Sequence, residues 1–116
     1  MESREFKPFG SVSALTLGGG GIGNVWGETS KEESIASVHL ALESGIDHLD
    51  VAPMYGKGEA ERVVGEAIKE RSRDSFRLTT KCALGSLPDE EVYDRFNTSL
   101  IRSLDTMGTD YDELYI

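Results

Sequence analysis

Cysteine is almost missing from this chain. Cys82 stands alone, which excludes an internal disulfide and the stapled fold of a small secreted domain. Basic residues are also scarce: 12 Lys and Arg face 21 Asp and Glu, for a formal net charge of -9. Such acidity argues against nucleic acid or an anionic membrane surface as a partner. No run approaches the ~20 consecutive apolar residues of a membrane-spanning helix. Met1-Glu2-Ser3-Arg4-Glu5 leads into no apolar segment of the kind a signal peptide carries. Histidine occurs only at His39 and His48, with no matching Cys or carboxylate cluster, so no zinc site is expected. A P-loop is excluded because there is no G-K-[ST]. No Ser or Cys has the flanking glycines of a nucleophile elbow. These absences leave a cytoplasmic, metal-free protein as the expectation. Asn97-Thr98-Ser99 matches a glycosylation sequon but falls in a predicted helix without a secretion signal, and is discounted.

What is present is an alternation of short apolar runs with amphipathic ones, in a length of 116 residues that suits one modest core. Residues 1–13 are polar around Pro8 and Gly10 and suit a hairpin or arm. Ala14-Leu15-Thr16-Leu17 reads as a buried strand that ends in Gly18 to Gly21, followed by a loop containing Trp26. Thr29 with Glu32, or Ser30 with Glu33, has capping-box spacing. The helix they open carries Ile35, Val38, Ala41 and Leu42 on one face and stops at Gly45. Ile46 to Val51 is the second strand. The next helix runs from about Glu59 to Arg71, with Val63, Val64, Ala67 and Ile68 on its apolar side. Phe76 to Thr80 forms a third strand that leads into Lys81. Pro88, followed by Asp89, Glu90 and Glu91, marks a helix start, and Val92, Phe96, Leu100, Ile101 and Leu104 continue as its stripe. Residues 111–116 begin a fourth strand.

The order β-α-β-α-β-α-β implies right-handed crossovers and a parallel sheet. Such a sheet is covered on both faces or closes into a barrel. Two architectures fit: a small doubly wound sheet, or half of an eight-stranded barrel. A chain that stops on Leu114-Tyr115-Ile116 without a polar tail favours the fragment.

Two features carry chemistry. Gly18 to Gly23 satisfies G-x-G-x-x-G after a strand. Residues Asn24 to Glu28 intervene before any helix, and Asp50 follows Gly23 at more than the ~20-residue spacing of the dinucleotide fingerprint. A loop that admits something at close range is the better reading. The second feature is Asp50, Tyr55 and Lys81, each at or just after the carboxyl end of a predicted strand. In a parallel sheet these ends share one edge, where ligands bind. A tyrosine, ordinarily with a pKa of about 10, is a poor proton donor at neutral pH, and a neighbouring ammonium favours its phenolate. A carboxylate beside the ammonium would orient it. The set is therefore suited to protonating an oxygen on which charge develops, as in carbonyl reduction by hydride. The plain alternative is a surface ion pair and a loop tyrosine. Cys82 and His39 are expected to be structural, and His48 to be packed and hydrogen-bonded.

At these residues the sequence resembles the aldo-keto reductase family. Val12-Ser13-Ala14-Leu15-Thr16-Leu17-Gly18 is similar to its first-strand V-S-x-L-G-x-G. Gly45 to Asp50 and Ala52-Pro53-Met54-Tyr55-Gly56 resemble G-x-x-x-x-D-T-A-x-x-Y-G, continued by Glu61 and Gly65 as E-x-x-x-G. Thr80-Lys81 resembles the T-K closing the third strand. Ser103 to Tyr111 resembles S-L-x-x-L-G-T-D-Y. The resemblance implies residues 1–116 as the N-terminal part of one (α/β)8 barrel domain whose members reduce aldehydes and ketones with NADPH. It implies Tyr55 as proton donor, Lys81 tuning it, and Asp50 pairing with Lys81 and touching cofactor. It also implies Gly18, Gly19, Gly20 and Trp26 at the mouth near nicotinamide and a small carbonyl substrate, with His48 and Thr79 pointing inward beneath.

Thr16, Gly19, Val51 and Met107 depart from the pattern. The family's catalytic histidine at the end of strand four would follow Ile116, and the half of the barrel that grips the cofactor's phosphates lies beyond it. The expectations are a chain inactive by itself that self-associates through an unpaired barrel edge. A non-catalytic truncated isoform or regulatory subunit on the same fold is the alternative.

Overall fold

The structure, a computed structural model, describes all 116 residues. Two layers of sequence signal separate cleanly in it. Strands β1 (Ser3–Glu5) and β2 (Ser11–Ser13) form an antiparallel hairpin. Strands β3 (Leu17–Gly18), β4 (His48–Asp50), β5 (Arg77–Thr80) and β6 (Leu114–Tyr115) form a parallel sheet in the order β3-β4-β5-β6. Helices α2 (Lys31–Glu43), α3 (Glu59–Ile68) and α4 (Asp89–Met107) are its crossovers. Successive strands pair with successive neighbours, so the sheet never doubles back. That order is a segment of a (β/α)8 barrel and rules out the doubly wound alternative, whose strand order reverses. β3 and β6 are the free edges.

The helices begin and end where side-chain chemistry provides for it. Ser30 Oγ accepts from the Glu33 amide and Glu33 accepts from the Ser30 amide, a complete capping box at the start of α2. Such caps are worth ~1 kcal/mol. The apolar faces of α2 and α3 meet the sheet in a core of Val38, Leu49, Val63, Val64, Ala67, Phe76, Leu78 and Met107. His39, as expected, has a structural role: its Nε2 lies 3.0 Å from the Ala67 carbonyl and ties α2 to α3.

Three local readings shift. The predicted strand Ala14–Leu17 starts later, at Leu17, and Leu15 is 57% exposed. Residues 14–16 are the corner between hairpin and barrel, held by Ser13 Oγ donating to the Leu15 carbonyl. The Gly19–Ile22 segment, expected as loop, coils into a single-turn helix, α1. The stripe on α4 is only partly covered, with Ile101 exposed and Ser103 and Met107 buried in its place. The covered stripe runs through Val92, Phe96, Leu100, Ser103 and Met107, and Ile101 lies beside it.

The hairpin closes the bottom of the sheet. Asp47 accepts from the Ser13 amide, its own amide donates to Ser13 Oγ, and its second oxygen pairs with Arg77. Beside it, Arg73 donates to Thr109 Oγ1, to the Phe76 and Tyr111 carbonyls and to both oxygens of Glu113, and stacks on the Tyr111 ring. Glu113 in turn accepts from the Leu78 amide. His48 bridges strands inside the sheet, with Nε2 2.7 Å from Thr79 Oγ1 and Nδ1 3.1 Å from Thr16 Oγ1.

Two outcomes are expected. Gly65 is where α3 touches α4: a Cβ there would lie 2.7 Å from the Thr106 carbonyl and 3.0 Å from Met107 Cα. Backbone cannot step aside as a side chain can, so Gly65→Ala should lower unfolding free energy by about 1–3 kcal/mol in urea titration. The second concerns His48. Burial lowers its pKa below the ordinary 6.5, against the opposing pull of Asp50 and Asp47. The folded chain therefore resists a proton that the unfolded chain accepts near 6.5. Stability should be intact above that pH and decline as pH falls below it. Urea midpoints compared at pH 7.5 and 5.5 (roughly one unit either side of the free imidazole value) should show the fall, and His48→Gln should flatten it.

Candidate active site

β4 and β5 pair in parallel register with Asp50 opposite Thr79, so Lys81 emerges two residues beyond, beside the end of β4. The register does what strand-end reasoning requires: residues distant in sequence leave the sheet at the same edge. Lys81 Nζ donates to Oδ1 of Asp50 and, at 2.9 Å, to the Val51 carbonyl. The ammonium also lies 5.1 Å from the centre of the Tyr55 ring, within cation–π range. The Lys81 and Asp50 side chains are 23% and 38% exposed, so the pair is partly desolvated yet open to the mouth. The second Asp50 oxygen and the Tyr55 hydroxyl make no hydrogen bond within the protein. The three predicted residues are thus brought together, with the ammonium against the ring face and the phenol oxygen left free.

The loop carrying Tyr55 is unusual in its backbone. Gly56, Lys57 and Gly58 take left-handed conformations in succession, at φ 62°, 53° and 91°. Glycine tolerates this at no steric penalty, while Lys57 does not. Arg62, paired with Glu59, braces the loop by donating to the Lys57 carbonyl. Gly56 also abuts the carbonyl of Gly23, where any Cβ would overlap it, and a Cβ on Gly23 would meet the Tyr55 carbonyl at 3.0 Å. The glycine segment after β3 and the loop after β4 therefore touch backbone to backbone.

This contact alters the reading of the glycine run. Gly18 ends β3 opposite Asp50 and has open space where a side chain would stand. At Gly19 that space is filled by the Val51 side chain, and at Gly20 by the indole of Trp26, whose nearest ring carbon would be 2.9 Å from a Cβ. Gly19 and Gly20 are thus committed to internal packing, and Gly18 alone faces open space. Trp26 is 81% exposed, and its indole occupies the space beside Gly20.

Two supports had no role assigned from the sequence. The Val51 carbonyl is the second acceptor for Lys81, and a carbonyl has no sequence signature. Glu61 is 2% exposed and accepts at 2.7 Å from Thr80 Oγ1, which fixes the strand end from which Lys81 projects. A carboxylate at the core-facing position of an amphipathic helix was its available signal.

Residues 14–116 match the family model described as the aldo/keto reductase family. The aldo-keto reductase YhdN of Bacillus subtilis is 39% identical, the alignment covering 90% of this chain and 33% of that protein. The NADH-specific methylglyoxal reductase of Escherichia coli is 32% identical, with coverage of 90% and 36%. Among solved structures, the thermostable aldo-keto reductase Tm1743 with the inhibitor epalrestat superposes with a TM-score of 0.81 at 31% identity, over 99% of this chain and 42% of that one. An aldo-keto reductase from Klebsiella pneumoniae in complex with NADPH gives 0.80 at 27% identity, over 98% and 38%. The chain spans about a third of the length of the curated relatives it matches. A parallel sheet in barrel order, an Asp–Lys–Tyr cluster at its carboxyl edge and a family match from Ala14 to the last residue lead to one assignment: the chain belongs to the aldo/keto reductase family.

Proposed function

We propose that residues 1–116 are the N-terminal part of a single barrel domain that reduces aldehydes or ketones to alcohols with NADPH in the cytoplasm. One observation carries this reading: the Lys81 ammonium is pinned by Asp50 and the Val51 carbonyl against the face of Tyr55, whose hydroxyl has no internal partner. The Tyr55 ring packs against the core while its hydroxyl keeps no protein partner, so the phenol oxygen is left available to a ligand.

The residues present fit one end of a nicotinamide cofactor. Gly18 offers an unobstructed backbone approach, and the free oxygen of Asp50 is an acceptor for a ribose or carboxamide donor. The likeness to a Klebsiella protein that holds NADPH and to an Escherichia coli enzyme named for NADH supports a nicotinamide of either kind, and the family pattern favours NADPH. When bound, the cofactor supplies a hydride. This chain supplies the proton. Tyr55 donates it to the carbonyl oxygen as charge builds there, and Lys81 stabilises the phenoxide left behind by Coulomb attraction across the ring. Asp50 restrains the lysine, so that the charge is in place before reaction begins. Trp26 forms one side of the rim over which substrate enters.

Alone, the chain should show no appreciable NADPH-dependent turnover of a generic aldehyde, since most of the cofactor surface lies outside it. Its free β3 and β6 edges should drive self-association, seen as oligomers in sedimentation velocity. Joined to the remaining barrel of the Bacillus subtilis relative, it should reduce aldehydes, and Tyr55→Phe should slow kcat by about 10²–10⁴-fold with the fold unchanged. A full-rate Tyr55→Phe chimera would overturn the assignment of Tyr55. A folded chimera without reductase activity would overturn the proposed reaction.

A further inference from the structure

Beside the Tyr55 loop and outside the sheet, a cavity of about 510 Å³ opens between Pro53 and Met54, the Cys82–Ala83 segment and α4. The α4 residues lining it are Arg95, Thr98, Ser99, Arg102 and Ser103. They recur at i, i+3, i+4, i+7 and i+8, the spacing at which a barrel helix normally turns apolar side chains to its neighbours. Here the face is basic and hydroxylic.

Neither arginine is neutralised. Every ion pair in the chain uses other residues, although acids outnumber bases 21 to 12. Two guanidinium groups outside any ion pair stand on one cavity wall, with Glu91 and Asp94 bordering the adjoining groove beside Arg95. Ser103 adds an independent sign. It is 1% exposed, its Oγ has no hydrogen-bond partner, and it lies in the wall of this cavity. Buried hydroxyls are nearly always satisfied, so an unsatisfied one at the cavity wall is an exception that an added acceptor would remove.

We propose that this cavity is a binding site for a small oxyanion, a phosphate or carboxylate group, held by Arg95 and Arg102 with help from the α4 hydroxyls. Planar guanidinium forks suit a group with two or three equivalent oxygens better than they suit a halide. The volume exceeds that of a bare phosphate, leaving room for an organic remainder. The wall is built from Met54, next to Tyr55, and Cys82, next to Lys81. An occupant would therefore touch residues adjacent in the chain to both members of the proposed proton-delivery pair. The site stands whether or not Tyr55 donates a proton, because none of its ligands belongs to that pair.

Cys82, the only thiol in the chain, lines the cavity and reports on it. Its alkylation by neutral iodoacetamide at fixed pH should slow in inorganic phosphate. With a Kd of about 1 mM, 10 mM phosphate slows the reaction roughly tenfold, by the factor 1 + [L]/Kd. Sodium chloride at matched ionic strength should leave the rate unchanged. Arg95→Gln with Arg102→Gln should abolish the protection, while circular dichroism confirms the fold, since both side chains are exposed. Glycerol 3-phosphate distinguishes the sources: tighter protection than by phosphate assigns the site to the anionic end of an organic molecule, and equal protection to the free ion. Absence of protection by either compound would overturn the proposal, as would equal protection in the double variant.

Discussion

The site depends on one ammonium being held off-centre. Lys81 is anchored by Asp50 and by the backbone of Val51, two adjacent residues at the end of β4, although the lysine itself leaves β5. Because its partners belong to the neighbouring strand, the ion pair is also a cross-strand tie, and its geometry is fixed by the register of the parallel sheet. A shift of β5 by one residue would turn Lys81 to the other face and leave Asp50 without a cation. The core beneath, with Leu49 and Leu78 paired at its centre, is what sets that register. Hydrophobic packing, which has no direction of its own, thereby determines the position of a charge.

A second constraint acts through backbone contact. Tyr55 reaches the ammonium because its loop lies directly on the glycine segment after β3, with Gly23 and Gly56 in opposition. Any side chain at either position would lift the loop and carry the phenol with it. The run of glycines in the sequence therefore has a mechanical explanation that requires no phosphate: Gly19 accommodates Val51, Gly20 accommodates Trp26 and Gly23 accommodates the Tyr55 loop. Val51 replaces the Thr or Ser that the family pattern places after the aspartate. Its side chain is what fills the space at Gly19, so two departures from the pattern are in van der Waals contact with each other.

How much of this was legible in the sequence follows from which forces leave a periodic trace. The capping box at Ser30 and Glu33, the apolar face of α3 and the order of strands and helices were readable because each is local or repeats with a fixed period. Asp50, Tyr55 and Lys81 could be grouped because parallel strands share an edge, an inference that needs only element order. The corner at 14–16 could not be read, since Leu15 has a strand former's side chain and is turned outward by a single hydroxyl bond from Ser13. Nor could the role of the Val51 carbonyl, which any residue would supply. The polar face of α4 was visible in the sequence as Arg95, Thr98, Ser99, Arg102 and Ser103, yet it gained meaning only once a cavity was found against it.

Strand order also explains how a site of this kind can be divided along a chain. Each βα unit in this sheet neighbours the unit before it, so residues that converge come from consecutive units and the separations in sequence stay near thirty residues, as between Lys81 and Asp50. Contacts of such modest span carry a small loop-closure penalty, and the penalty grows only slowly with length. The Tyr55–Lys81 contact is therefore complete within β4, the segment after β5 and the loop between β4 and α3, and needs nothing from the opposite side of a barrel for its geometry. What the opposite side would add is enclosure. In a half sheet open at β3 and β6, water screens the Lys81 charge that would otherwise act on Tyr55 through a low dielectric. Geometry and electrostatic strength are thus supplied separately: the local register sets the first, and closure of the barrel sets the second.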